Sequence, residues 1–204
     1  LAEQLGISRT PLRAALVALT HSGLVSYESN RGYRVREFSA DQIRDSFLVR
    51  AELEALACKL AAKRITRAEL AELDGLLALG DRLLEGGVLK PENHAAYRDM
   101  NVRLHQLIKQ AAVSPWIIDF VSRLHNVPLG SDRIILWEDW EIIHRSHDDH
   151  HRIVRALKLG DGERAAAIMR EHIIFAQEYL LSEMQRAPDV YAGATKPKTP
   201  PEEG

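Results

Sequence analysis

The sequence predicts a mainly α-helical chain in two parts, a short helix–turn–helix with a hairpin and then an antiparallel bundle of about six helices. Three observations lead there. Apolar residues recur at three- and four-residue spacing almost without interruption from Ser39 to Arg186, period-two alternation is confined to residues 25–35, and turn-forming clusters fall between the periodic segments. With 204 residues, 46% hydrophobic and 27% charged, the composition suits one substantial core and a small second module.

At the amino end, "LAEQLG" reads as a short helix closed by Gly6, and Ser8 caps a second helix on which Leu12, Ala15, Leu16 and Leu19 repeat at helical spacing. In "SGLVSYESNRGYRV", Val25 and Tyr27 alternate, "SNRG" supplies turn chemistry, and Tyr33 and Val35 alternate again, which makes a hairpin. Two helices across a tight turn plus a hairpin compose a winged helix–turn–helix over residues 1–36. In such a module the second helix enters the major groove of double-stranded DNA. Ser8, Arg9, Thr10 and Arg13 occupy its first turns, where hydroxyl and guanidinium donors join the positive helix end in holding phosphate, and Arg9 or Arg13 can instead read a guanine edge. Gly32, flanked by Arg31 and Arg34, lets the hairpin tip approach the sugar-phosphate chain. Charge agrees: residues 1–36 carry five arginines against Glu3 and Glu28, whereas the whole chain has a net charge of −2.

Residues 37–40 read as a linker in which Ser39 caps the first long helix, and residues 41–186 as the helical domain. Its helices are expected at roughly 40–64, 66–85, 92–112, 115–126, 134–159 and 161–186. The proline- and charge-rich segment 187–204 is expected to stay disordered, since it has too little apolar surface to bury. The single cysteine, Cys58, sits among alanines and leucines and reads as a small packed group in a reducing cytoplasm. No run of about 18 apolar residues and no signal-like start point to a membrane or to secretion.

The stretch "HDDHHRIVRAL" poses the functional question. His150 shares a helical face with Ile143, His147, Ile153, Val154 and Leu157, so it points inward, while His144, His147, His151 and Arg155 form a wetter stripe with His147 at the border. His172 also points inward, among Ala165, Ile168, Met169, Phe175 and Tyr179. A turn near Gly160, ten residues after His150 and twelve before His172, brings the two together across a helical hairpin. A third helix carries Asn101 and His105 four residues apart. Three imidazoles and an amide oxygen at one interior point are costly to bury unpaired, so the convergence calls for metal, water or ligand. A divalent metal satisfies all four. Zinc leads, and nickel, cobalt, copper or manganese also suit such donors. Arg50, on an apolar helix face, is a candidate partner for an effector carboxylate or for Glu54, and Tyr97, Arg98, Trp137 and Trp140 are candidate cavity walls.

Two stretches carry a family resemblance. "LAEQLGISRTPLRAALVALTHSGLVSYESNRGYRV" resembles most of the DNA-binding domain of the GntR family of bacterial transcription regulators, which implies one further helix before this point. Residues 40–186, notably "HHRIVRALKLGDGERAAAIMREHI", resemble the FCD effector domain of the FadR subfamily. The resemblance implies a homodimer that responds to a small carboxylate metabolite, and a metal motif that falls on Asn101, His105, His150 and His172. The departure is Asn101, where the family pattern usually has aspartate. A neutral amide there removes one negative charge from around the metal.

Two rivals follow from the same residues. The pair His147–Asp148 is similar to the signature of all-helical HD phosphohydrolases, which would require His105 and Asp161 as further ligands. A helical dimerisation module without ligand would leave the histidines around water. With no "HExxH" and no glycine-rich phosphate loop, the reading of the chain as a regulator rather than an enzyme is favoured.

Overall fold

The computed structural model describes residues 1–127, 129 and 140–191. The chain runs α1 (Arg9–His21), β1 (Val25–Glu28), β2 (Gly32–Val35), α2 (Ala40–Ala61), α3 (Arg67–Leu83), α4 (His94–Ala111), α5 (Pro115–Leu124), α6 (Trp140–Lys158), α7 (Gly162–Arg186) and α8 (Pro188–Tyr191). The mainly helical fold with one small hairpin is the one expected.

Residues 1–7 form a single turn rather than a helix. Ile7 N–H bonds to Ala2 O and Gly6 N–H to Glu3 O, with Gly6 at φ +63°, so the glycine closes the turn as a helix end would be closed. β1 and β2 pair antiparallel with Tyr27 opposite Tyr33, their rings 5.1 Å apart, and the turn is carried by Asn30 at positive φ. The second helix forms as its apolar spacing predicts, over Arg9–His21, but its stripe is thinly covered. No residue of α1 is buried, and Leu19 is exposed, because among the described residues chiefly the short hairpin backs this helix.

The linker is not slack. Phe38 is buried in the main core, and the Arg36 guanidinium lies over its ring while donating to Gly23 O. A second tie crosses the modules where Asn126 Nδ2 donates to Ser22 O, just beyond α1.

Capping chemistry sets the helix starts. Ser39 with Gln42 and Thr66 with Glu69 make reciprocal capping boxes, and Asp161 caps α7 by accepting from Arg164 N–H. α2 and α7 form the most extensive pair. Gln177 reaches Arg44 O, Arg170 pairs with Glu52, and Lys59 pairs with Glu163, so the two run antiparallel. They can close tightly because Gly162 lies against the α2 backbone, where a Cβ would stand 2.9 Å from Lys59 O. Ile43, Phe47, Leu73, Leu104, Ile108, Ile153, Leu157, Met169 and Ile173 fill the core between α2, α3, α4, α6 and α7.

Helix ends fall a few residues inside the expected limits. The expected start of the fifth long helix at 134, and Trp137, lie outside the described residues, as do residues 192–204 of the expected disordered tail. Residues 188–191 correct that expectation in part, forming a short helix from which Tyr191 packs against the core.

Candidate metal centre

The helical domain delivers three imidazoles to one buried point. His105 comes from α4, His150 from α6 and His172 from α7, each at most 5% exposed. Their ring centroids lie 5.4 Å (105–150), 5.3 Å (105–172) and 4.7 Å (150–172) apart, and one nitrogen of each falls within 4.8 Å of the others. The turn that joins α6 to α7 makes this possible. Asp161 N–H bonds to Ala156 O and Gly160, at φ +69°, reverses the chain, so both histidines face the same interior. Asn101 is buried one turn before His105 on the same face of α4.

Buried imidazole nitrogens need partners. Neither ring nitrogen of His150, nor Nδ1 of His172, has a hydrogen-bond partner, and Asp149 Oδ2 is 4.0 Å from His172 Nδ1, too far to serve. Burial, reinforced by the neighbouring imidazoles, holds His150 well below the usual histidine range. Burial first, then His105 and the Arg50 guanidinium, push His172 down to about 3. Both rings are therefore neutral, the form that donates a lone pair to a metal. A divalent cation fits this donor set.

The sequence did not single out the group that aims His105. Glu54, fully buried on α2, accepts a 2.6 Å hydrogen bond from His105 Nδ1, which leaves Nε2 turned to the cluster. Arg50 Nε lies 3.0 Å from the other Glu54 oxygen. Although burial works against it, Lys109, His105 and Arg50 together hold the Glu54 carboxyl well below the usual carboxylate range. A carboxylate behind a ligating histidine fixes tautomer and orientation. Asp149, also buried, was hidden in the polar string; it pairs with Arg152 at 2.6 Å, and only its spacing from Ile153 and Ala156 marked it as inward.

The remaining candidates divide. Arg50 is buried beside Glu54, whereas Tyr97 is buried in a smaller cluster with Leu84, Leu89, Met100 and Ile143, its ring 5.9 Å from that of His147. Arg98 is not brought to the histidines: it bonds Asp99 on the outer face of α4, beside Val102, Arg103 and Gln106. Trp140 packs at the edge of a smaller cluster with Tyr97, Met100 and Ile143. The HD pair does not assemble, because His147 is buried against Asp81 while Asp148 is exposed and Asp161 is spent on the α7 cap. In the amino-terminal module Ser8, Arg9, Thr10 and Arg13 all face solvent at the start of α1. Gly32, at φ +84°, sits at the hairpin tip beside exposed Arg31, which lies 3.7 Å from Glu28.

Comparison with known proteins gives two matches to family models. Residues 1–35 match the model described as bacterial regulatory proteins, gntR family, and residues 45–175 match the FCD domain. The chain is 31% identical over 173 residues to the Nta operon transcriptional regulator of Aminobacter aminovorans, covering 85% of this chain and 78% of that one. It is 32% identical over 188 residues to the HTH-type transcriptional regulator McbR of Escherichia coli K12, covering 88% and 81%. Among solved structures, E. coli McbR/YncC superposes with a TM-score of 0.69 at 24% identity, over 90% of this chain and 84% of that one. A GntR-family regulator from Pseudomonas syringae pv. tomato DC3000 gives 0.56 at 18% identity, over 92% and 76%.

Proposed function

This chain belongs to the gntR family of bacterial regulatory proteins, in the FadR-type branch that carries an FCD domain, and we propose that a divalent metal and a small organic acid in its helical domain govern its grip on DNA. It is a DNA-binding transcription regulator, not an enzyme. The finer reading rests on one observation: three buried imidazoles from α4, α6 and α7 bring one nitrogen each within 4.8 Å of the others, and both ring nitrogens of His150 and Nδ1 of His172 lack hydrogen-bond partners.

In this reading His105, His150 and His172 hold the metal, zinc before nickel, cobalt or manganese, and the Asn101 amide oxygen completes the protein's share. When bound, the ion supplies Lewis acidity toward a carboxylate. Glu54 keeps His105 in register, while Arg50 and Tyr97 offer a cation and a hydroxyl to the same carboxylate. Ser8, Arg9, Thr10 and Arg13 meet the operator in the major groove, with Arg31 and Gly32 on the adjacent backbone. The protein works as a homodimer in the cytoplasm, and the effector selects one spacing of the two DNA-reading helices.

Thermal melting against a panel of small carboxylates, with and without chelator, tests this, since a ligand specific for the folded state raises its stability by mass action. A carboxylate shift that disappears with chelator and in His150→Ala supports the reading. A carboxylate shift indifferent to both removes the metal from effector binding.

A further inference from the structure

A second group of metal-binding side chains lies outside the centre described above, on the same helix. His147 and His151 stand four residues apart on α6, and both direct Nε2 at one oxygen of Asp81 on α3, at 3.0 and 2.9 Å from Oδ1. All three donor atoms fall within 4.8 Å of one another. The arrangement is carved into the packing. Gly80, buried in α3, leaves room for the His147 ring, and a Cβ there would stand 2.1 Å from Cε1 of that ring. The residue that makes space for one donor thus precedes the residue that supplies another.

We infer that Asp81, His147 and His151 form a second divalent transition-metal site, bridging α3 and α6, which takes zinc, cobalt or nickel with water completing the shell. Two imidazoles and one carboxylate are donors for these borderline ions, whereas calcium and magnesium prefer oxygen alone. Metal–nitrogen and metal–oxygen distances of about 2.0–2.1 Å put tetrahedral ligands about 3.3 Å apart. The present N···O separations of 2.9 and 3.0 Å therefore need to open by only a few tenths of an ångström. Access is open, since the side chains of Asp81 and His151 are 54% and 41% exposed, while that of His147 is 6% exposed and held in place. Although burial works against it, hydrogen bonds from His151 and His147 hold the Asp81 carboxyl below its ordinary range, so it is anionic at neutral pH. The site is distinct from the inner one: the His147 ring centroid lies 6.0 Å from that of His150, and the two sites share no donor.

Isothermal titration of the chelator-stripped chain with zinc, with cobalt absorption as a second readout, separates the two sites. The wild-type protein is expected to take two equivalents. His151→Ala and Asp81→Ala, both at solvent-exposed positions, are each expected to lose one, while His150→Ala and His172→Ala lose the other. Circular dichroism of each variant confirms that the fold is retained. A single equivalent in the wild type that His151→Ala abolishes supports the outer site and removes the inner one. Stoichiometry and affinity indifferent to both His151→Ala and Asp81→Ala overturn the inference, whatever the inner histidines do.

Discussion

Replacing Glu54 by Gln should lower metal affinity and fold stability together, and the structure says why the two losses are separable. The amide keeps the size of the side chain and removes its charge. On one side His105 Nδ1 loses a charged acceptor at 2.6 Å, and on the other Arg50 loses a carboxylate at 3.0 Å, in a place without solvent. Removing one partner of a buried ion pair typically costs about 3–5 kcal/mol, because the other charge stays behind uncompensated. Removing the group that orients a ligating histidine typically costs about 10–100-fold in metal affinity. In urea with chelator, the Glu54→Gln chain should therefore unfold earlier by that first amount. In competition with a chromophoric chelator, its zinc Kd should rise by the second. The double variant Arg50→Met/Glu54→Met distinguishes the two effects: it should recover part of the stability, since the Arg50 charge leaves together with its partner while buried Lys109 keeps its own, but none of the zinc affinity. If Glu54→Gln left both quantities unchanged, the claim that this carboxylate holds the centre would be refuted.

Four further outcomes follow. Gly80→Ala, which in an exposed helix would stabilise by up to about 1 kcal/mol, should instead destabilise by about 1–3 kcal/mol, because the new methyl collides with His147; an unchanged or higher urea midpoint would contradict the packing. The metal-free protein should lose stability as pH falls below about 6.5, because His150 and His172 have depressed folded-state pKa values and the unfolded chain takes up the protons first. For His172 the loss should run at about 1.4 kcal/mol per pH unit toward about 3, and denaturation midpoints that stay flat between pH 7 and 5 would exclude it. Cys58 is fully buried, and burial raises its thiol pKa, so iodoacetamide at pH 8 should label it only after denaturation, as read by intact mass. Arg9→Ala should weaken DNA binding; equal losses on all sequences with a salt slope lower by about 1 mark a phosphate contact, and relaxed preference at one base pair marks a guanine contact.

The inner histidines were legible because helical spacing ties each to apolar neighbours: Ile153 and Leu157 report the face of His150, and Ala165 and Met169 that of His172. The distance of each from Gly160 gave the register between α6 and α7. No such local ruler links α2 to α4, so Glu54 was visible only as the residue one turn from Arg50, and its hold on His105 depended on how two distant helices pack. The outer cluster was hidden for the same reason, since Asp81 meets α6 through a register set by Gly80. Arg98 failed to join the interior because it lies one residue beyond the Tyr97 face, about 100° around α4. The stripe on α1 showed the periodicity of a buried helix, yet periodicity reports which side would be covered, not what covers it.

That thin backing of α1 has an energetic corollary. A helix with every side chain in touch with water, seated on a ribbon of two four-residue strands, adds little to the cooperative free energy of the whole. Its amide protons should exchange with deuterium through small local openings, long before those of α2 and α7, which wait for global unfolding. The end of the molecule that must adapt to a nucleic acid surface is thus also the end whose deformation costs least, while the histidine-bearing bundle stays rigid behind it.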